Sequence, residues 1–244
     1  MCAQSAIGLT MDTTSPITIK KVEKRSAEAQ AADRLREAII AGDIPLGARL
    51  TEIQVAEQVG VSRGTIRTAF HQLVQEGLLV QVPYTGWTVM TLNPHDAWEL
   101  YTLRASLEAL ASRLVARRVR EDASREARGA LEAAFARLEA ACAEGGKDRI
   151  ALEDMNLHRA IVALSRHGRL IEQYSLIEHQ IHIYIKSSDG LVQTPDDIIA
   201  QHVPIVDALL RGDEQAAVDA AAAHNEREGS ILVSHLSEAA RAKP

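Results

Sequence analysis

Residues 46–91 read LGARLTEIQVAEQVGVSRGTIRTAFHQLVQEGLLVQVPYTGWTVMT, and their reading decides the fold. Thr51 and Gln54 place a hydroxyl at an N-cap and an amide at N3, a capping box that opens a short helix to about Val59. Ile53, Val55 and Ala56 face inward on it, and Gly60 ends it. Ser62 caps a second helix over 63–76, which buries Ile66, Phe70, Leu73 and Val74 and stops at Gly77. The period then changes. β-Branched alternation on either side of Pro83, Tyr84, Thr85 and Gly86 predicts a hairpin of strands 79–82 and 87–91. Upstream, Ala31, Leu35, Ala38 and Ile39 share one face of a helix over 28–42, closed by Gly42.

Two short helices, a tight glycine turn and a hairpin make a winged helix-turn-helix pattern. Its second helix would enter a DNA major groove with its first residues at the base edges. Those residues are Ser62, Arg63, Gly64, Thr65 and Arg67. A guanidinium suits bidentate contact to guanine or a fork on phosphate. Hydroxyls and backbone N–H groups at a helix N-terminus suit phosphate oxygens.

Downstream only helical patterns follow: about 94–119, 121–144, 147–166, 168–186, 195–211 and 213–237. Asn93-Pro94 and Thr194-Pro195 both read as a cap followed by proline at the first helical position. The fold class is therefore mostly α, a winged helix-turn-helix followed by an all-α bundle. Residues 1–18 are small and polar and read as a disordered leader, 19–92 as the DNA-binding domain and 93–240 as the helical domain. Lys20, Lys21, Lys24 and Arg25 form a basic cluster, either a solvated helix start or a phosphate-contacting arm.

With 244 residues, 46% of them hydrophobic and 25% charged, the chain has the composition of a folded globular protein rather than a disordered or collagen-like one. A formal net charge of −6 excludes a protein that coats nucleic acid by bulk charge. It leaves room for a reading module, since 19–92 carry nine basic and eight acidic residues. Two cysteines, Cys2 and Cys142, make neither a disulfide framework nor a cysteine-rich metal site, and a cytoplasmic protein is expected. No apolar run approaches the length of a membrane helix.

Asp154 and His158 stand four apart, about 40° around a helix and about 6 Å along it, so both can reach one ion. His202 and His224 fall in the last two helices. An Asp/His₃ set suits a divalent metal, because imidazole binds zinc, nickel, copper or iron and the carboxylate offsets charge. Spacing alone leaves a packed or surface role open for each histidine. His179, His182 and Tyr184 are candidates to line the same cavity, and His71 to sit near phosphate or in solvent. His95, His167 and His235 read as surface, and Trp87 and Trp98 as wing and interdomain core.

The segments Leu46–Leu50, Val55–Arg63, Ile66-Arg67, Leu73, Glu76–Leu79 and Gly86 resemble the winged-helix domain of GntR-type bacterial regulators over nearly all of 28–91. The resemblance implies that Ser62, Arg63, Thr65 and Arg67 contact operator DNA, that Gly86 belongs to a wing tip in the minor groove, and that Arg49 lies near the DNA backbone. The family's usual Thr-Pro is here Gly64-Thr65, which loosens the first helical turn.

The helical region resembles the FCD effector domain through Glu99–Arg104 with Leu107-Glu108, Asp154–Ile161, Gln201-His202 with Ile205 and Ala208, and Gly212–Ala217 leading to His224. That resemblance implies Asp154, His158, His202 and His224 as metal ligands, zinc first, with nickel, iron or manganese also compatible. It implies a small organic acid beside the metal, with Arg104 as its carboxylate partner. The usual Glu-His and His-Leu pairs are here Gln201-His202 and His224-Asn225. The expectation is a homodimeric, ligand-responsive regulator on double-stranded operator DNA, a repressor of a catabolic operon. The rival is a metal-dependent hydrolase, against which stands the lack of an HExxH motif.

Overall fold

A computed structural model describes residues 25–82, 86–121, 125–188 and 194–241. In chain order the elements are α1 (Ala27–Ala41), β1 (Arg49–Leu50), α2 (Glu52–Val59), α3 (Arg63–Gln75), β2 (Leu79–Val82), β3 (Gly86–Val89), α4 (Pro94–Glu121), α5 (Glu126–Glu144), α6 (Lys147–Leu164), α7 (Gly168–Ser188), α8 (Pro195–Arg211) and α9 (Glu214–Arg241). The leader expected over 1–18, the lysines at 20, 21 and 24, and the hairpin tip at 83–85 lie outside the described residues.

The N-terminal elements form where local chemistry directs them. Ser26, Thr51 and Ser62 each accept a backbone N–H at the N3 position of their helix. At Thr51 the expected box is half formed: its hydroxyl donates to Gln54 Oε1 at 3.0 Å, so the glutamine side chain holds the cap hydroxyl instead of the cap N–H. Gly60, with φ 76°, turns the chain between α2 and α3 in a left-handed conformation that a side chain would strain. Leu35, Ile39, Val55, Ile66, Phe70, Leu73, Leu79, Trp87 and Val89 close one core, with the Phe70 and Trp87 rings 5.2 Å apart.

The sheet differs from the expected hairpin. It has three antiparallel strands in the order β1-β3-β2, with Leu50 opposite Trp87 and Gln81 opposite Trp87 on the other side. β3 runs Gly86–Val89 and not 87–91. β1 is two residues long, too short for alternation to announce it.

In the helical domain α4 packs along α9, with α6 and α8 also against it. The buried stripe of α4 runs Ala97, Leu100, Tyr101, Arg104, Glu108, Ala111, Ser112, Val115 and Val119, a helical period whose middle is polar. Thr194 and Asp197 form a complete capping box at α8. Trp98, expected in an interdomain core, is instead 55% exposed and stacks on His95.

The two domains meet through α7. Gln180 Nε2 donates to the carbonyl of Glu76, at the end of α3, at 3.0 Å. The amide sits where a Cβ on Gly77 would be, which also has φ 67°. Lys186 Nζ donates to the carbonyls of Ile40 and Ala41 at 3.3 and 3.2 Å, satisfying the end of α1, and pairs with Asp148 at 2.8 Å. Glu76 takes a two-pronged grip from Arg36 at 2.7 Å per bond.

Candidate metal centre and nucleic-acid interface

Ser62, Arg63 and Arg67 are exposed at the start of α3, and Arg49 is exposed on β1. The Ser62 hydroxyl is engaged locally, accepting from Thr65 N at 3.1 Å and lying 3.0 Å from the Thr65 hydroxyl. Arg67 donates from Nε to Glu52 Oε1 at 3.2 Å while its side chain stays 64% exposed. The Glu52 carboxyl is held below its usual range, first by its own backbone N–H, with Arg67 adding to the effect against some burial. Gly86 opens β3 beside Val82 with φ 99°. Arg25 pairs with Asp33 at 2.6 Å.

Asp154 and His158 lie on one face of α6, His202 on α8 and His224 on α9, all buried. The structure brings the three histidines together, with Asp154 against two of them. Asp154 Oδ1 is 3.1 Å from His158 Nε2 and 3.3 Å from His202 Nε2, and the two nitrogens are 3.2 Å apart. One ring nitrogen from each of His158, His202 and His224 lies within 4.8 Å of the others. Donors around one ion with bonds of about 2.0–2.2 Å stand about 2.8–3.6 Å apart, so the triangle has the right size.

Its hydrogen bonding points the same way. His202 Nδ1 faces the Ile198 carbonyl at 2.8 Å, and His158 Nδ1 faces Glu108 Oε2 at 3.0 Å. Both partners are acceptors, so each Nδ1 is assigned the proton and each Nε2 keeps a lone pair. Two lone pairs then converge on a carboxylate oxygen that has no hydrogen-bond partner among the described residues, and His224 Nδ1 is also unpartnered. Buried acceptors with no donor between them suit a cation.

Charge follows this geometry. When a proton rather than a metal ion sits on the facing Nε2 atoms, His202 and His158 hold the Asp154 carboxyl well below its usual range, although burial would raise it. Burial depresses His224 well below the usual imidazole value, and His202 and His158 depress it further. His158 is raised despite burial, because Glu108 lies against it.

Glu108 is the residue that the motif reading quoted but did not place in the site. Its carboxylate receives Arg104 Nε at 2.8 Å, the Tyr174 hydroxyl at 2.8 Å, Asn225 Nδ2 at 2.9 Å and His158. Burial opposes its charge, yet Arg104 and then His158 keep its pKa well below the usual range. Arg104 is 1% exposed, and its Nη2 has no hydrogen-bond partner among the described residues. The signal available in the sequence was the spacing of Arg104, Glu108 and Ser112, one turn apart along a helix that is otherwise apolar on that face.

His179 and His182 stand elsewhere. With Ile40, Asp148, Arg159 and Lys186 they line a cavity of about 390 Å³ between α1, α6 and α7, at the domain junction. Burial and Arg36 push His179 down to about 4, and burial and Arg159 push His182 down to about 4. Tyr184 lies at the backbone of Asn93, and burial raises its hydroxyl to about 12. His71 is exposed with its ring against the edge of Trp87. His167 is exposed, as expected, and its ring accepts from Leu170 N at 3.1 Å, capping α7.

The chain matches the FCD domain over residues 99–227 and the family described as "Bacterial regulatory proteins, gntR family" over residues 27–89. It is 31% identical over 215 residues to the "Probable D-xylose utilization operon transcriptional repressor" of Paenarthrobacter nicotinovorans, covering 88% of this chain and 90% of that one. It is 30% identical over 199 residues to the "Uncharacterized HTH-type transcriptional regulator YdhC" of Bacillus subtilis, covering 80% and 86%. The solved structure of E. coli McbR/YncC has the same fold, with a TM-score of 0.70 at 21% identity over 87% of this chain and 99% of that one. Among the described residues no helix is long and apolar enough to cross a membrane. These domains and relatives are those of transcriptional regulators and not of enzymes, which sets aside the hydrolase. The chain belongs to the GntR family of bacterial transcriptional regulators, with an N-terminal winged helix-turn-helix and a C-terminal FCD domain.

Proposed function

We propose that this regulator is a cytoplasmic repressor of a catabolic operon, binding a two-fold operator as a homodimer and releasing it when a small organic acid binds beside a divalent ion. The observation that carries the reading is the buried convergence of Asp154, His158 and His202, with His224 against them, on a point that no donor occupies. Those four residues would hold the ion. Zinc fits the nitrogen-rich set first, and nickel, iron or manganese are compatible. When bound, the ion supplies positive charge to which a carboxylate can add. Arg104 would take the acid's carboxylate through its unpartnered Nη2. Arg49, Ser62, Arg63, Thr65, Arg67 and Gly86 would face DNA, within a DNA-binding domain spanning 19–92 and an effector domain spanning 93–240. The name of the Paenarthrobacter relative, a repressor of a sugar-utilisation operon, supports the repressor role.

Elemental analysis and calorimetry test this directly. The protein prepared without chelator should carry close to one divalent ion per chain. Arg104→Lys keeps a cation on Glu108 but removes the second nitrogen. It should retain the ion and bind acids about tenfold more weakly. Wild-type protein without metal, refractory to loading, would overturn the site.

A further inference from the structure

We propose that Glu52 is a positioning residue for base reading: it holds the Arg67 guanidinium by one edge so that the other edge meets a guanine of the operator. This deepens the operator-binding reading above and rests on it.

Glu52 is the first residue of α2, and its side chain is 24% exposed. Its carboxylate is tied on three sides. Its own backbone N–H and the Trp87 indole N–H donate to it, and Arg67 donates from Nε at 3.2 Å. Trp87 is itself fixed. It is buried on β3, opposite Leu50 and Gln81 in the sheet, with its ring against Phe70 and His71 of α3. The carboxylate therefore stands in a frame built from the start of α2, the wing strand and the reading helix.

Arg67 is gripped at one atom. Nε is engaged, while the two Nη groups have no hydrogen-bond partner among the described residues and the side chain is 64% exposed. A guanidinium held this way offers a fixed pair of N–H donors. Guanine presents two acceptors, N7 and O6, on its major-groove edge and matches that pair. Adenine sets an amino donor beside N7, thymine has one acceptor and cytosine offers a donor, so none of them satisfies both nitrogens. An arginine free to swing would also take a neighbouring phosphate, a contact that carries no sequence information. Holding Nε restricts that alternative and orders the side chain before DNA arrives. Arg49 and Arg63 are also exposed, but among the described residues neither has such a carboxylate, so the frame singles out Arg67.

The experiment is fluorescence anisotropy of the full-length protein on DNA duplexes. The tightest duplex that wild type selects from a random pool serves as the operator, and each base pair is then replaced in turn. Wild type should prefer one guanine in each half-site by about tenfold or more, and Arg67→Ala should bring that preference to within about twofold. Glu52→Ala, checked by melting temperature, should shrink the preference at the same guanine to within about threefold and leave the other positions as they were. Glu52→Gln leaves Nε an acceptor oxygen and should keep most of the preference. The Glu52→Ala, Arg67→Ala double variant should lose no more than Arg67→Ala alone. A preference undiminished in Glu52→Ala overturns the role of Glu52 and leaves operator reading by Arg67 standing. A loss spread over all positions marks a general disturbance of the domain and overturns the positioning role as well. Arg67→Ala with every preference intact overturns both readings. Should Glu52→Ala fail to fold, Glu52→Ser, also too short to reach Arg67 but suited to a helix start, gives the same readout.

Discussion

Replacing Glu108 by alanine should be among the most damaging single substitutions in the effector domain. The side chains of Glu108 and Arg104 are 3% and 1% exposed, so the ion pair is shielded from solvent. Removing the carboxylate leaves a guanidinium buried without its anion, which costs about 3–5 kcal/mol. The Tyr174 hydroxyl, Asn225 Nδ2 and His158 Nδ1 lose their acceptor at the same time. Against a domain stability of about 5–15 kcal/mol this is a large fraction. Glu108→Gln keeps the volume and one acceptor oxygen, so it should cost less, and Tyr174→Phe should cost about 1 kcal/mol. The assay is urea unfolding of chelator-treated protein at pH 7, read as a midpoint at constant slope. The sign with pH follows from the depressed carboxyl. Its folded pKa lies well below the usual 4.5, so its stabilisation is complete above the unfolded value and is lost as pH falls through the folded one. The gap between wild type and Glu108→Gln should therefore narrow only below about pH 4. An alanine variant within 1 kcal/mol of wild type would refute the claim that this carboxylate organises the core of the site.

Four further outcomes are expected. Arg63→Ala or Arg67→Ala should weaken operator binding by about 1–3 kcal/mol in fluorescence anisotropy, and a steep salt dependence should accompany wild-type binding. Glu52→Gln should strengthen it slightly, because it removes a negative charge beside the phosphates and leaves Arg67 an acceptor oxygen. His202→Ala should lower metal affinity by at least an order of magnitude in a competition titration, while leaving operator binding measurable. His179 and His182 titrate near 4, below the ordinary imidazole value, so their neutral forms stabilise the fold above about pH 6.5 and that contribution is lost as pH falls toward 4. Replacing both by glutamine should flatten the stability profile across that window, and an unchanged profile would show that neither is buried in solution.

The winged helix was legible because each of its features is local. Caps at Thr51 and Ser62, a glycine turn and a change of period all lie within a few residues of one another. The Asp154–His158 pair was legible for the same reason, a spacing of one helical turn. What joined them to His202 and His224 came from the family pattern, since no local rule states which faces of α6, α8 and α9 meet. Glu108 and Tyr174 escaped as site residues because their role is defined by partners on other helices. A glutamate inside a helix reads as solvated until its neighbours are known. Trp98 failed in the opposite direction: a large apolar ring is expected inside, and nothing local tells that the α4 start leaves it on the surface. For His179 and His182 no local rule separates cavity lining from packing, and they line a second cavity because α7 presents its later turns to the winged helix and its Tyr174 turn to Glu108.

That placement of α7 has a thermodynamic consequence. Tyr174 touches the carboxylate that orients His158, Gln180 holds the carbonyl of Glu76 at the C-cap of α3, and Lys186 holds the end of α1. From Tyr174 to Lys186 is about 18 Å along one helix. If an effector displaces α7 and so loosens the operator, reciprocity requires the operator to loosen the effector by the same factor. The regulator's sensitivity to its acid is then not a constant of the protein alone. An affinity titrated on free protein will be tighter than the affinity of the promoter-bound molecule, by the ratio in which the acid weakens binding to that promoter.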